Sequence, residues 1–187
     1  MKNLRRKLSF LSWFLFLFLA CVLLSWCWWD DNWSGGFSLN VYWFYLNYGW
    51  GNGLERVALK TDDLDDIIDL YQEPWDNSDF KDSLLIAEKY SELWVNAFSQ
   101  SNLDNLKEQW LTLSNIKRTQ IWLKKYWKDI NAVLVEYDID EWFINEIPVL
   151  FVSQLFIPNG NNIMLMSFVT ENKSSRSGAS NMFKNIR

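Results

Sequence analysis

Four closely spaced segments with strand-like composition constrain the fold of this chain more than any other feature. They cover Leu111–Lys124, Asp129–Ile139, Pro148–Ile157 and Ile163–Thr170. Each is rich in β-branched and aromatic residues, and turn residues such as Asn159-Gly160-Asn161-Asn162 separate them. Strands joined by such short connections pair antiparallel, because a parallel pair needs a long crossover. We therefore predict an antiparallel sheet in the second half of the chain.

The remaining segments predict a few further elements. Phe37–Tyr48 alternates like a strand and is followed by the turn-forming run 49–53. The spacing of residues 101–109 predicts a short helix capped by Ser101 or Asn102. A closing helix is predicted over 174–186, with Met182, Phe183 and Ile186 on its apolar face.

The N-terminus has the form of a bacterial secretion signal. Residues 1–7 are basic, and Leu8–Leu24 form an apolar run rich in Leu and Phe. By length alone the run is also close to that of an uncleaved transmembrane anchor. The segment that follows favours the signal, because Leu24-Ser25-Trp26-Cys27 resembles the lipobox of bacterial lipoproteins at three of four positions. The resemblance implies cleavage before Cys27 and lipid attachment to it.

Trp26 departs from the lipobox, since signal peptidase accepts only a small residue there. The chain holds 13 Trp and 7 Gly in 187 residues, and several Trp, such as Trp50, Trp75 and Trp127, stand where turns favour Gly. We predict that many or all of these Trp are UGA codons that the source organism reads as Gly. The alternative is a set of genuine tryptophans forming a membrane-interface belt, although a belt clusters at one depth and these are spread along the chain.

Composition excludes several classes of chemistry. The chain has no histidine, and both cysteines, Cys21 and Cys27, lie in the N-terminal segment. A histidine base, the usual zinc ligand sets and a disulfide in the body of the chain are therefore absent. The net charge of −5 does not suit a nucleic-acid partner. We expect no metal and no cofactor, and a protein that is not an enzyme.

Some polar residues nevertheless allow a functional interpretation. A group of carboxylates could include an acid/base pair for glycoside hydrolysis, although the polar outer face of a strand is the simpler interpretation. Gln154 could orient a ligand or bond to another polar group. Lys124, Lys125 and Lys128 could meet lipid headgroups or simply form a basic turn. Ser174–Ser180 lacks a nucleophile elbow and a histidine partner. The carboxylates are Glu136, Asp138, Asp140, Glu141 and Glu146.

The order of segments resembles the PsbP-like family. The similarity covers roughly 37–187 and rests on Asp79–Lys89, on Val133–Tyr137, on Val152–Ile157 with its Gln154, and on Met164–Thr170. The family has an α/β sandwich with a central antiparallel sheet and includes bacterial lipoproteins.

The resemblance also implies that 66–73 is a strand that forms a hairpin with 82–89. Periodicity alone predicts an acid-faced helix over 61–71, with Asp62, Asp65, Asp66 and Asp69 on its polar side and without the pattern of a calcium-binding loop. We favour a strand for Ile67–Gln72, because Ile and Tyr suit strands and Pro74 follows.

These observations predict an α+β fold with a central antiparallel sheet covered by helices, a PsbP-like α/β sandwich after an N-terminal signal or anchor helix. The predicted parts are a lipoprotein signal peptide over 1–26, a flexible tether over 27–36 and one domain over 37–187. The predicted function is that of a non-catalytic lipoprotein on the extracytoplasmic side of the cell membrane, which binds or stabilises an envelope protein or ligand. The alternatives are a single-pass membrane protein with interfacial tryptophans that binds lipid or protein, and a carboxylate-based hydrolase.

Overall fold

The computed structural model describes residues 37–41, 44–48, 54–57, 67–72, 81–109, 111–125, 128–140 and 149–186. Two helices lie among them, α1 (Val95–Glu108) and α2 (Lys173–Lys184). The same residues include nine strands: β1 (Phe37–Val41), β2 (Phe44–Tyr48), β3 (Glu55–Val57), β4 (Ile67–Gln72), β5 (Ser83–Tyr90), β6 (Thr112–Lys125), β7 (Lys128–Asp140), β8 (Val149–Asn159) and β9 (Asn162–Thr170).

Seven of the described strands form one antiparallel sheet in the order β3-β4-β5-β9-β8-β7-β6. The chain runs through β3, β4 and β5 to the middle of the sheet, passes through α1 and begins again at the far edge with β6. It then returns strand by strand to β9, which pairs with β5. β1 and β2 form a separate antiparallel hairpin.

Each face of the sheet packs against one helix. On one face, Val135 and Tyr137 of β7 belong to the same core as Phe98 and Leu106 of α1. Their neighbour Leu134 points to the other face, where it shares a core with Phe183 of α2. Side chains of successive strand residues alternate between the faces, so the central strands are buried on both sides.

The predicted fold class, a PsbP-like α+β sandwich with a helix-covered sheet after an N-terminal helix, is wrong. The described chain is mainly antiparallel sheet, with two helices of 14 and 12 residues. At a rise of about 1.5 Å per residue they are about 20 Å long, whereas seven strands spaced about 4.8 Å apart span about 29 Å. Among the described residues the sheet is therefore not covered by a layer of helices, although its central strands are buried on both sides. The predicted N-terminal helix lies outside the described residues.

Some of the individual predicted segments are confirmed by the structure and others are not. The strands predicted at 111–124, 129–139, 148–157 and 163–170 are confirmed by β6 to β9, and the strand at Ile67–Gln72 by β4. The single strand predicted over 37–48 is wrong, because it is split into the β1–β2 hairpin. The helix predicted at 101–109 begins earlier, at Val95. Asp62, Asp65 and Asp66 lie outside the described residues, and Asp69 lies in β4.

Candidate binding groove

A solvent-open groove lies between the first half of α1 and β6. Its volume is about 400 Å³, and its lining combines polar and apolar groups: Asn96, Ala97, Arg118, Thr119, Gln120 and Val133. Arg118 and Gln120 alternate along β6, so both side chains lie on the face of the sheet that carries α1. The groove therefore forms where α1 packs across the β6 edge of the sheet.

The start of α1 is positioned by the loop before it. The Ser91 hydroxyl accepts a hydrogen bond from the Leu93 backbone N–H at 3.0 Å, and the Ser91 N–H donates to the Asn161 carbonyl at 3.1 Å. Trp94 is extended, with φ −63° and ψ 151°, and its side chain makes no capping bond. Leu93 is 48% exposed and Trp94 is 87% exposed. The loop thus presents two large apolar side chains to solvent beside the groove residue Asn96.

Arg118 ties α1 to β6. Its Nη1 donates to Gln100 Oε1 at 2.9 Å, and its Nη2 donates at 2.7 Å both to the Asn96 carbonyl and to Ser99 Oγ. Arg118 remains exposed, so its positive charge stays at the groove surface. These three bonds hold a cation in a defined place, which suits recognition of an anionic or carbonyl group. Arg118 was not predicted as a site residue, because a single arginine in a strand has no distinctive pattern.

Gln154 does not face a ligand site. It is 2% exposed, and its Oε1 accepts from Asn102 Nδ2 at 3.0 Å. Its Nε2 donates to Ser167 Oγ at 3.3 Å. Both ends of the amide are therefore bonded within the protein, and Gln154 fixes α1 to the centre of the sheet.

The predicted carboxylate pair lies on the opposite face, beneath α2. Glu136 and Asp138 do share a face of β7, as alternate residues must. Asp138 is 4% exposed, accepts from Asn115 Nδ2 at 2.7 Å and forms an ion pair with Arg176. The Arg176 guanidinium also lies 5.0 Å from the centre of the Phe151 ring. Asp138 is thus engaged in holding α2 on the sheet.

Glu136 is engaged in the same way. Its Oε1 accepts from Ser180 Oγ at 2.7 Å, and Ser180 and Ser153 are hydrogen-bonded at 2.8 Å. The segment 174–180 lies inside α2, and the sequence alone did not connect it with β7. This arrangement pins a helix, whereas hydrolysis of a polymer requires two carboxylates across an open cleft. Asp140 ends β7, and Glu141 and Glu146 lie outside the described residues.

Other predicted site residues are placed only in part. Cys27, Leu24, Ser25 and Trp26, the lipid-attachment and cleavage residues, lie outside the described residues. Lys124 is exposed at the end of β6. Within the described ranges, no group of three or more acidic, Cys or His side chains is arranged to hold a metal ion. Neither α1 nor α2 has the length and apolar character needed to cross a bilayer.

Tyr137 is a buried titratable group whose pKa departs clearly from its ordinary value. It is 1% exposed in the core under α1. Burial disfavours the phenolate and raises the pKa of Tyr137 well above its ordinary value near 10. The side chain is therefore neutral over the whole physiological range, and its role is in packing.

Comparisons with known proteins show a distant structural likeness. No family model matches the chain, and no curated protein is similar to it. Among solved structures, PA94 from Pseudomonas aeruginosa, a protein of unknown function, matches 81% of this chain and 92% of its own at 16% sequence identity. The TM-score is 0.49, and a likeness of this size supports no conclusion about fold or function.

Proposed function

We propose that this protein is a non-catalytic binding lipoprotein of a bacterial envelope, attached to the membrane through Cys27, and that the α1–β6 groove receives its partner. The observation that carries the proposal is the open groove itself, with Arg118 held at its surface and Leu93 exposed beside it. Concave sites with a few fixed polar groups are the usual places for ligands. Glu136 and Asp138 of β7, by contrast, are engaged with α2.

The membrane attachment rests on the N-terminal sequence. Leu24, Ser25 and Cys27 match the lipobox, and residues 27–36 are polar apart from their tryptophans. A flexible chain of ten residues reaches about 17 Å, which places the following domain close to the lipid headgroups. A partner in or near the membrane is thus within range of the groove.

Two described tryptophans support the recoding of Trp to Gly. Trp94 and Trp122 are 87% and 67% exposed, whereas an indole normally buries most of its large surface. Trp122 lies directly across from Asn131, whose buried Oδ1 has no partner among the described residues. A glycine at 122 would remove the indole that is the cross-strand neighbour of Asn131. Mass spectrometry of peptides from the native mature protein should find glycine at positions 94 and 122, and tryptophan masses there would contradict recoding.

Lipid labelling tests the attachment. Cells that express the full chain are grown with radiolabelled palmitate, and Cys27→Ala is compared with Cys21→Ala, which changes the other cysteine. We expect the label to be lost in the first variant and kept in the second. Label retained in Cys27→Ala, or an intact Met1 in the membrane fraction, would contradict the proposal. That result would favour a single-pass membrane protein.

A groove-filling substitution tests the binding site. Ala97 is exposed and lines the groove, so Ala97→Trp should block it without disturbing the core. Asn181→Trp, at an exposed position of α2 on the other face, is the matched control. In whole cells, chemical crosslinking to envelope components should fall in the first variant only. Equal crosslinking in both variants would mean that the groove is not the binding site.

A further inference from the structure

The two edges of the sheet differ greatly in length. β3 has 3 residues, whereas β6 has 14, and no described strand pairs with the outer side of β6. Such an edge presents unpaired N–H and C=O groups that can pair with a strand from another chain. The groove residues Arg118 and Gln120 belong to this same strand. A strand added to β6 would therefore lie alongside the groove.

A bulge divides β6 into two parts. The register with β7 shifts between Ser114 and Lys117, and Asn115 takes a left-handed conformation with φ 50°. Its side chain donates to Asp138, which fixes the irregularity in place. Bulges interrupt edge pairing. The regular segment Lys117–Lys125 remains, and in a nine-residue strand about half of the residues direct their backbone groups outward.

The charge of β6 is opposite to that of the chain. The strand contains four cations, Lys117, Arg118, Lys124 and Lys125, and no carboxylate, in a protein of net charge −5. Lys117 Nζ is 4.0 Å from Glu136 Oε2, and the Lys117 side chain is 68% exposed. This contact therefore offsets little of the positive charge of Lys117. An incoming strand meets this basic row before it meets the acidic residues of β7.

Self-pairing of β6 is opposed by the same charges. If two copies pair antiparallel around a point between Gln120 and Ile121, Lys117 lies opposite Lys124. If the pairing is centred on Ile121, Arg118 lies opposite Lys124 and Lys117 opposite Lys125. Like charges directly across a ladder are destabilising. In these two registers the edge disfavours a second copy, and its positive charge favours a strand that carries acidic residues.

We propose that the outer edge of β6, over Lys117–Lys125, binds an acidic extended segment of the partner as an added β-strand. This inference rests on the proposed function and names the chemistry of the partner. Backbone hydrogen bonds supply affinity in this mode, and alternate side chains supply specificity. The alternation places every second side chain of the partner on the face of the groove, where Arg118 carries its charge.

Binding of a defined peptide to the purified full-length protein in detergent micelles tests the inference. The probe is the peptide Glu-Val-Thr-Val-Glu-Val-Thr-Val-Glu with blocked ends, and its Lys-for-Glu counterpart is the charge control. We expect the acidic peptide to bind, to weaken about fivefold with Lys124→Glu and to change less than twofold with Lys184→Glu, an exposed lysine of α2. A raised salt concentration should weaken the binding as well.

Two further measurements separate strand addition from simple charge attraction. An acidic peptide that is N-methylated at alternate residues keeps its charge but cannot form the ladder, so it should not bind. Hydrogen exchange of backbone amides should slow in β6 on binding and stay unchanged in β3. Equal binding of the methylated and the plain peptide, equal binding of both charge forms, or a β6–β6 dimer would overturn the inference. Normal palmitate labelling at Cys27 together with any of these results would leave the proposed attachment standing.

Discussion

The ion pair between Asp138 and Arg176 should contribute more to stability than any exposed pair in the described chain. The side chains of Arg176 and Asp138 are 12% and 6% exposed, so both charges have left most of their water. Removing one partner of a buried pair leaves the other charge uncompensated and costs about 3–5 kcal/mol. We expect Arg176→Met to cost about 3 kcal/mol, near the lower end, because Asn115 still donates to Asp138.

A double-mutant cycle isolates the pair. The four proteins are the wild type, Asp138→Ala, Arg176→Met and the double variant, and urea unfolding of the full chain gives their free energies of unfolding. Methionine keeps the apolar stem of Arg176 beside Phe151. The double variant should lose about 2 kcal/mol less free energy of unfolding than the sum of the two single losses, because no buried charge is left unpaired in it.

The longer contact between Lys117 and Glu136, whose side chains are 68% and 16% exposed, supplies the control cycle. Its atoms are 4.0 Å apart and the Lys117 side chain is 68% exposed, so its coupling energy should be below about 0.5 kcal/mol. A coupling energy for Asp138–Arg176 as small as that of the control would refute the reasoning. α2 would then be held on the sheet by its apolar face alone.

Three further measurements test other parts of the fold. Burial raises the pKa of Tyr137, so above pH 10 the tyrosine ionises in the unfolded state only, and the free energy of unfolding should fall by about 1.4 kcal/mol by pH 11. Tyr137→Phe should remove this contribution to the pH dependence, and an unchanged pH dependence would contradict the raised pKa. Gly160 has φ +64°, and nothing lies within 4 Å of an added Cβ. Gly160→Ala should therefore lower the free energy of unfolding by about 1 kcal/mol through backbone strain alone, and a stabilised variant would be inconsistent with that φ. Phe183 is fully buried, and Phe183→Ala should lower the free energy of unfolding by about 3–5 kcal/mol. Asn181→Ala, at an exposed position of the same helix, should lower it by less than about 0.5 kcal/mol, and equal losses would mean that the packing of α2 is not as described.

The strands were predictable because their signal is local. β8 and β9 are nearly continuous apolar runs on either side of Gly160-Asn161, and a two-residue turn between such runs defines a hairpin without any long-range information. The split of 37–48 into β1 and β2 was not predicted, since Tyr42 and Trp43 as printed carry no turn signal, whereas a recoded glycine at 43 would supply one. The start of α1 was missed for a similar reason. Trp94 precedes the helix without a capping side chain.

The candidate site could not be predicted to the same degree. Alternation placed Glu136 and Asp138 on one face, but nothing in β7 tells which helix covers that face. Arg176 reaches Asp138 from 38 positions away, and Arg118 reaches Ser99 from 19. Contacts of this length depend on how the sheet is ordered. The prediction of a sheet covered by helices was wrong for the same reason. The sequence pattern predicts whether a segment is a helix or a strand, but not how much of the sheet that segment covers.

By itself, the sequence determined the strand positions, the absence of histidine and of cysteine beyond Cys27, and the excess of Trp at turn-like sites. These properties are local, since they depend on residue chemistry and on the short-range period of side chains. The tertiary structure alone decided that β9 returns beside β5 and that β6 becomes a long basic edge. It also decided that the carboxylates of β7 are engaged by α2 while Arg118 faces the groove. Those outcomes depend on which faces must be buried against each other, and burial is a property of the whole chain.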